Sequence, residues 1–304
     1  MDISPFHAGE MKAQALAGGG SRGAGIRDFM PDQHRIFFGH LPYLFLGLLD
    51  ATGWPMATML TGEPGFVTSP DARSLRIDAR PDAGDPAAGL IGDAAAVGLL
   101  GLDLATRRRN RANGVIASSD PAGMTVDIRQ SFGNCPQYIQ LRELRPVAPA
   151  PGPAQRLTGL GGVARDMIAG ADTLFVASSS GRDIDAGGGV DISHRGGRPG
   201  FVHIDGERLT IPDFSGNRYF NTLGNLLVEP RAGLLFVDFE RGDVLQLQGR
   251  TEIVWSGADI ARIAGAERLW HFHITDGWFR PMALPLRWSF GGFAPTTERT
   301  GTWT

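Results

Sequence analysis

Polarity along the chain follows two periods, one helical and one alternating. Near the start, Ser4 and Pro5 precede a mixed run that predicts a short helix over Phe6 to Ala17, capped by Ser4, and Gly18–Gly25 breaks it. Pro31 opens a second helix, Asp32–His40, which Pro42 ends. Tyr43–Asp50 is apolar enough to be a buried strand, Ala51–Trp54 its turn and Pro55–Thr61 the returning strand. Further on, Thr173–Ser178, Val190–Arg195, Phe201–Ile204 and Leu209–Pro212 read as strands. Asn217–Val228 reads as a helix halted before Pro230, and Gly233–Glu240 and Val244–Trp255 as long hairpin strands.

The two halves share this pattern in register. Gly62-Glu63-Pro64-Gly65-Phe66-Val67 returns as Gly197-Arg198-Pro199-Gly200-Phe201-Val202, Gly98-Leu99-Leu100 as Gly233-Leu234-Leu235, and Gly114 as Gly249, each 135 positions on (62 to 197, 98 to 233, 114 to 249). Three blocks at one offset predict a duplicated unit. Between the halves, Pro146–Pro153 holds four prolines and a glycine, and reads as a stiff extended spacer. The expected organisation is therefore an N-terminal helical segment over 1–42, one unit over 43–145, a linker over 146–158 and a second unit over 159–304. Each unit is expected to be a small antiparallel barrel with a helix between its fourth and fifth strands, in a mainly β (α+β) fold.

Composition narrows the function. The chain has 304 residues and a formal charge of −3, which argues against a dedicated nucleic-acid binder. Forty-three glycines and 20 prolines favour short strands and turns. One cysteine, Cys135, excludes an intrachain disulfide and a cysteine-ligated cluster. No basic–apolar leader opens the chain and no run of about 18 apolar residues occurs, so a soluble cytoplasmic protein without a membrane partner is expected. His271 and His273 share a strand face but lack further ligands nearby, and no metal site is expected.

The chemistry concentrates around Val190–Leu227. Ser215 and Gly216 precede the helix placed at Asn217, whose first turn would offer free N–H groups, and Arg218 would add a forked cationic donor. Asn221 and Asn225 lie three and seven residues beyond Arg218, so all three would share one helical face. Ser193, His194 and Arg195 supply more donors from a strand, and Asp213 and Asn217 flank the turn. Such a stretch is an anion cradle or, more blandly, a capped surface helix beside a polar strand. The first half has Ala83, Pro86 and Leu90 at the positions of Arg218, Asn221 and Asn225, so it lacks this cradle. It carries instead a basic hairpin, Thr106–Gly114, with Arg107, Arg109 and Asn110, and the element Asn134-Cys135-Pro136-Gln137-Tyr138-Ile139. Four arginines in five residues also suit a solvated turn, and Cys135 reads as a small packed side chain more readily than as a nucleophile.

Three strands, then a Gly/Ser-rich turn with Asn-Arg opening a helix, together with the basic hairpin and the Asn-Cys-Pro-x-Tyr-Ile element, resemble the pyridoxamine 5′-phosphate oxidase-like FMN-binding split-barrel family. The similarity runs from Ser4-Pro5-Phe6-His7 to the end of the chain. It implies tandem split barrels fused into an intrachain pseudo-dimer, with FMN in the groove between them. The phosphate would be held by Arg218 and the helix start, with Ser193, His194, Arg195, Asp213, Asn217, Asn221 and Asn225 around it. The ring would face Arg107, Arg109, Asn110, Asn134, Cys135 and Tyr138. An FMN-dependent oxidoreductase is expected, acting on a small-molecule substrate or fed by a separate electron-donor reductase, and possible as a homodimer. The rival is a flavin carrier without turnover, or a binder of deazaflavin or haem. No catalytic side chain is assigned.

Overall fold

The computed structural model describes residues 4–133, 135–148, 151–181 and 189–303. Two helices lead the chain, α1 (Ala8–Leu16) and α2 (Asp32–His40). Strands β1 (Tyr43–Leu49), β2 (Pro55–Thr61), β3 (Val67–Thr68), β4 (Ser74–Ile77), β5 (Ala96–Asp103), β6 (Arg108–Asp120), β7 (Gly123–Gly133) and β8 (Leu141–Pro146) follow. After β9 (Gln155–Arg156) and α3 (Gly162–Gly170) come β10 (Thr173–Gly181), β11 (Gly189–Gly196), β12 (His203–Asp205), β13 (Arg208–Phe214) and α4 (Asn221–Val228). The chain ends with β14 (Arg231–Val237), β15 (Val244–Val254), β16 (Ala266–Arg280), β17 (Leu286–Gly292) and α5 (Pro295–Glu298).

The fold is mainly antiparallel sheet, and its two large sheets have the same strand order. One runs β2-β1-β5-β6-β7-β4-β3 and the other β11-β10-β14-β15-β16-β13-β12, with β9 added at β16. Neither path closes on itself, so each is an open sheet. The registers agree as well: Phe45 pairs with Leu100 and Gly47 with Gly98, as Phe175 pairs with Leu235 and Ala177 with Gly233.

The halves meet face to face. Phe45 stacks on Phe175 with centroids 3.7 Å apart and planes 20° apart, inside a core that draws Tyr43, Ala57 and Leu100 from one half and Ala177, Ile192 and Leu235 from the other. Each half keeps its own core besides. Two glycines let the backbones close. A Cβ on Gly98 would lie 2.8 Å from the Val190 carbonyl oxygen, and one on Gly233 would lie 2.5 Å from that of Pro55. Gly98 and Gly233 occupy the same place in their sheets, and so do Pro55 and Val190.

Several local expectations are corrected. The first helix begins at Ala8, because His7 caps it: His7 Nδ1 accepts from Gly9 N (3.1 Å) and Glu10 Oε2 accepts from His7 N (2.9 Å). The helix expected at Asn217 begins at Asn221, since Arg218 (φ 60°) and Phe220 (φ 62°) are left-handed and cannot lie in a right-handed helix. Arg218 therefore leaves the face that Asn221 and Asn225 share. The first half has turns, not a helix, between β4 and β5. The Pro-rich linker is not a free spacer: β8 reaches Pro146, Val147 N donates to Pro285 O (3.0 Å), Gly152 N to Pro281 O (2.9 Å), and Gln155–Arg156 pairs with β16.

Helix α1 docks on α4 through small residues, Gly9 opposite Gly224, whose added Cβ atoms would strike the facing backbone at 2.3 and 2.6 Å. Burial raises the Glu10 carboxyl to about 7, against the hydrogen bonds from His7 N and Asn221 that favour its ionised form. A carboxyl raised on folding stabilises the fold most below its ordinary value near 4.5, and that contribution is lost as pH rises towards 7. The melting temperature of Glu10→Gln should therefore gain on the native chain as pH rises from 5 to 8; a gap that stays constant with pH would refute this. Replacing Gly98 by Ala should lower unfolding stability by about 1–3 kcal/mol, an overpacking cost. Gly92→Ala, with open space around it, should change it by less than about 0.5 kcal/mol. Equal denaturation midpoints for the two variants would remove the close-approach constraint.

Candidate functional site

Strand β6 of the first sheet faces β11 of the second across the interface, and this sets the site. Alternation along β6 puts Arg109 and Arg111 on one face, where they meet Ser193, His194 and Arg195 of β11. The loop from Pro212 to Arg218, the start of α4, Tyr138 and Arg268 of β16 complete a cleft open to solvent.

Most of the charge here is paired. Arg111 Nη1 lies 3.0 Å from Asp191 Oδ1 and 3.1 Å from Oδ2. Ser193 Oγ donates to Asp191 Oδ2 (2.9 Å), and Thr222 Oγ1 to Ser193 Oγ (2.8 Å). Asp213 is shared between Arg195 and Arg268, the latter donating from Nε at 2.9 Å. Arg109 differs. It is half-buried with its Nε enclosed, and among the described residues no carboxylate lies within ion-pairing distance of it. Its Nη1 donates instead to His194 Nδ1 at 3.1 Å.

That contact settles the histidine's tautomer. A guanidinium only donates, so Nδ1 accepts and the ring proton sits on Nε2. Nε2 is buried and has no partner among the described residues, like the Nε atoms of Arg109, Arg111 and Arg195. Burial, and then the Arg109 charge, hold His194 well below its ordinary value, so the ring is neutral. Burial, reinforced by the like charges of Arg111 and Arg195, brings the Arg109 guanidinium down to about 9, which leaves it cationic at neutral pH. Unsatisfied donors beside a half-buried cation without a carboxylate suit an anion with several acceptor oxygens.

One wall is flat. Tyr138, held at φ 62°, stacks on Phe214 at 5.4 Å and 27°, and the Arg268 guanidinium covers the Phe220 ring at 4.9 Å. The start of α4 lacks a side-chain cap, because its N-cap residue is Phe220, which has no polar side-chain atom; Asn221 donates to Glu10 and accepts from Arg111 (3.3 Å), and Thr222 turns to Ser193.

The cleft thus collects Arg109, Tyr138, Ser193, His194, Arg195, Asp213, Asn217, Arg218 and Asn221. Other expected residues are otherwise engaged or lie elsewhere. Arg218 borders the cleft, but its guanidinium donates to Ala17 O (2.8 Å) and Gly19 O (2.6 Å), tying down the N-terminal segment. The Arg107 guanidinium is spent on the carbonyls of Ile139 (3.0 Å) and Phe293 (3.2 Å). Asn110 alternates to the other face of β6. Asn225 lines a neighbouring cavity, accepting from His7 Nε2 (2.9 Å) and donating to Ser178 Oγ (3.0 Å). Cys135 is a free, half-buried thiol outside the cleft lining, and Asn134 lies outside the described residues. Arg111 was legible in the same hairpin, two residues beyond Arg109. Asp191, Arg268 and Glu10 were not, since only folding brings them here. Among the described residues no helix is long and apolar enough to cross a membrane.

No family model matches the chain, and no curated protein matches it. Among solved structures it is similar to a FAD-binding protein from Mesorhizobium loti, at 10% identity over 42% of this chain and 97% of that one, TM-score 0.29. It is likewise similar to a putative pyridoxamine 5′-phosphate oxidase from Lactobacillus delbrueckii (11% identity, 40% of this chain, 97% of that one, TM-score 0.31). A third is the haem storage protein HutZ from Vibrio cholerae (14% identity, 38% of this chain, 91% of that one, TM-score 0.27).

Proposed function

We propose that the chain binds flavin mononucleotide in the cleft between its two sheets, as an FMN-dependent oxidoreductase whose substrate and electron donor come from outside. The carrying observation is the Arg109–His194 pair: a half-buried cation with no carboxylate partner and an enclosed, unpartnered Nε, beside a neutral imidazole with an unused N–H. An oxyanion meets both needs. The parallel Tyr138–Phe214 wall offers a flat apolar surface to a planar ring, and the sequence resemblance points to the same ligand class. The equal strand orders and the 135-residue repeat support an internal duplication in which only the second half keeps the Ser215–Asn221 turn.

A bound flavin would supply the electron transfer. The chain's own residues would bind and orient it. Arg109 and the His194 Nε2–H would hold its anionic group, and Arg195 and Arg268, locked by Asp213, would border it. Arg111, fixed by Asp191, would keep the two sheets in register around it. The His194 tautomer argues against haem, since a protonated Nε2 offers iron no lone pair while Nδ1 is occupied by Arg109. One observation favours the carrier alternative. Among the described residues of the cleft, His194 is held neutral and burial raises Tyr138, so neither is placed to exchange protons near neutral pH.

The purified protein, or apoprotein given FMN, should show a flavin spectrum with about one FMN released per chain on denaturation. Arg109→Gln should weaken FMN binding by about 30-fold or more, the loss of a buried charged contact, while Arg107→Ala stays within about twofold. A colourless protein that takes up no FMN, or equal affinities for Arg109→Gln and the native chain, would overturn the assignment. Reduction of the bound flavin by NADH or NADPH, or by an added reductase, separates oxidoreductase from carrier. Added haemin should give no histidine-ligated absorption band, and such a band that vanishes in His194→Phe would reverse the choice of cofactor.

A further inference from the structure

Away from the cleft, two cavities flank the β8–β17 ribbon, one of about 480 Å³ and one of about 450 Å³. They are counterparts. The first lies among α2, the start of β1 and the end of β5; the second lies among α3, the start of β10 and the end of β14. Both are bordered by the same two side chains of the ribbon, Arg142 and Trp288.

Each of these side chains is more than nine-tenths buried and has a donor to spare. Arg142 Nη2 spans both oxygens of Asp172 at 2.7 Å, but its Nη1 has no partner among the described residues. The Trp288 indole N–H faces the Tyr43 hydroxyl but has no partner in hydrogen-bond geometry among the described residues. Two unused buried donors between two cavities call for an acceptor.

The cavities differ in charge. The second is rimmed by Asp166, Asp172, Asp238 and Glu240. At the corresponding places the first has Ile36 for Asp166 and Ala105 for Glu240, keeps Asp103 for Asp238, and adds Arg108 and His40. Its walls are apolar, with Phe37, Leu41, Tyr43 and Leu144 beside Trp288. Asp103 is occupied by Thr106 Oγ1 and Ala105 N (3.0 Å), and Arg108 lies over the Phe37 ring at 5.3 Å. Four acids repel an anion from the second cavity, whereas the first has a single acid, offset by Arg108, beside Arg142. The volume and the mixture of apolar wall with few polar groups are those of a small-molecule site.

We propose that the first cavity is a binding site for a hydrophobic monocarboxylate, its carboxylate towards Arg142 and Trp288 and its apolar body along Phe37, Leu41 and Leu144. The site is separate from the flavin cleft and shares no side chain with it.

The test is calorimetric titration of the full chain with decanoate, and with decylamine as a probe of equal length and opposite charge. Decanoate should saturate at about one per chain, and decylamine should bind at least tenfold more weakly. Ile36→Asp copies the acid of the second cavity at a position 60% exposed, so it leaves the core intact; it should weaken decanoate at least tenfold. Trp288→Phe keeps the aromatic wall and removes the N–H, and should weaken it about fivefold. Equal binding of the two probes, no saturable decanoate binding, or an unaffected Ile36→Asp variant would each overturn the site. So would loss of decanoate binding in Arg109→Gln, which would put the acid in the cleft instead.

Discussion

The close approach of the two sheets governs everything else in this molecule. Gly98 and Gly233 bring backbone against backbone where any side chain would collide, and Phe45 on Phe175 fills the space between them. Only at that separation does Arg111 of the first sheet reach Asp191 of the second, and Arg109 reach His194. The cleft is thus a product of the interface. Neither half contains it alone, because Arg109 and Arg111 come from one and His194, Asp191 and Asp213 from the other.

Burial then shapes the chemistry. In water Arg109 would be a solvated cation and His194 a titrating base. Enclosed together, the arginine donates to one ring nitrogen and thereby dictates that the other carries the proton. The donors left over, His194 Nε2 and Arg109 Nε, have no acceptor among the described residues, a cost to stability. Asp213 between Arg195 and Arg268, and Asp191 on Arg111, show the opposite solution, in which the chain neutralises its own cations and fixes their positions. The N-terminal segment belongs to the same system. Arg218 grips the carbonyls of Ala17 and Gly19, and Glu10 reaches Asn221, so α1 steadies the loop that forms the lip of the cleft.

The near-symmetry of the halves sharpens the contrast between equivalent places. The helix α4 of the second half corresponds to a run of turns in the first, and the two cavities beside the β8–β17 ribbon share Arg142 and Trp288 but differ in the number of acids on their rims. One backbone plan with two sets of side chains yields places of different charge.

Much of this was legible in the sequence, for reasons of range. The apolar run Tyr43–Asp50, the turn before Pro55 and the Pro31-led helix depend on neighbours within a few residues, and they appear with those boundaries or within a residue of them. The repeat of Gly98 and Gly233 marked the positions where the sheets later meet, and Ser193 to Arg195 and Arg109 were marked as ligand-facing. The sequence could not show that Arg218 and Phe220 turn left-handed, which shortens α4 and sends Arg218 to the N-terminal segment. It could not show that Arg107 is consumed by two carbonyls, or that Asp191 and Arg268 enter the site from 80 and more residues away from Arg111. Local backbone preference decides which elements form; which charges are left without partners is decided only when distant strands pack, because pairing at a few ångströms is a property of the assembled interface.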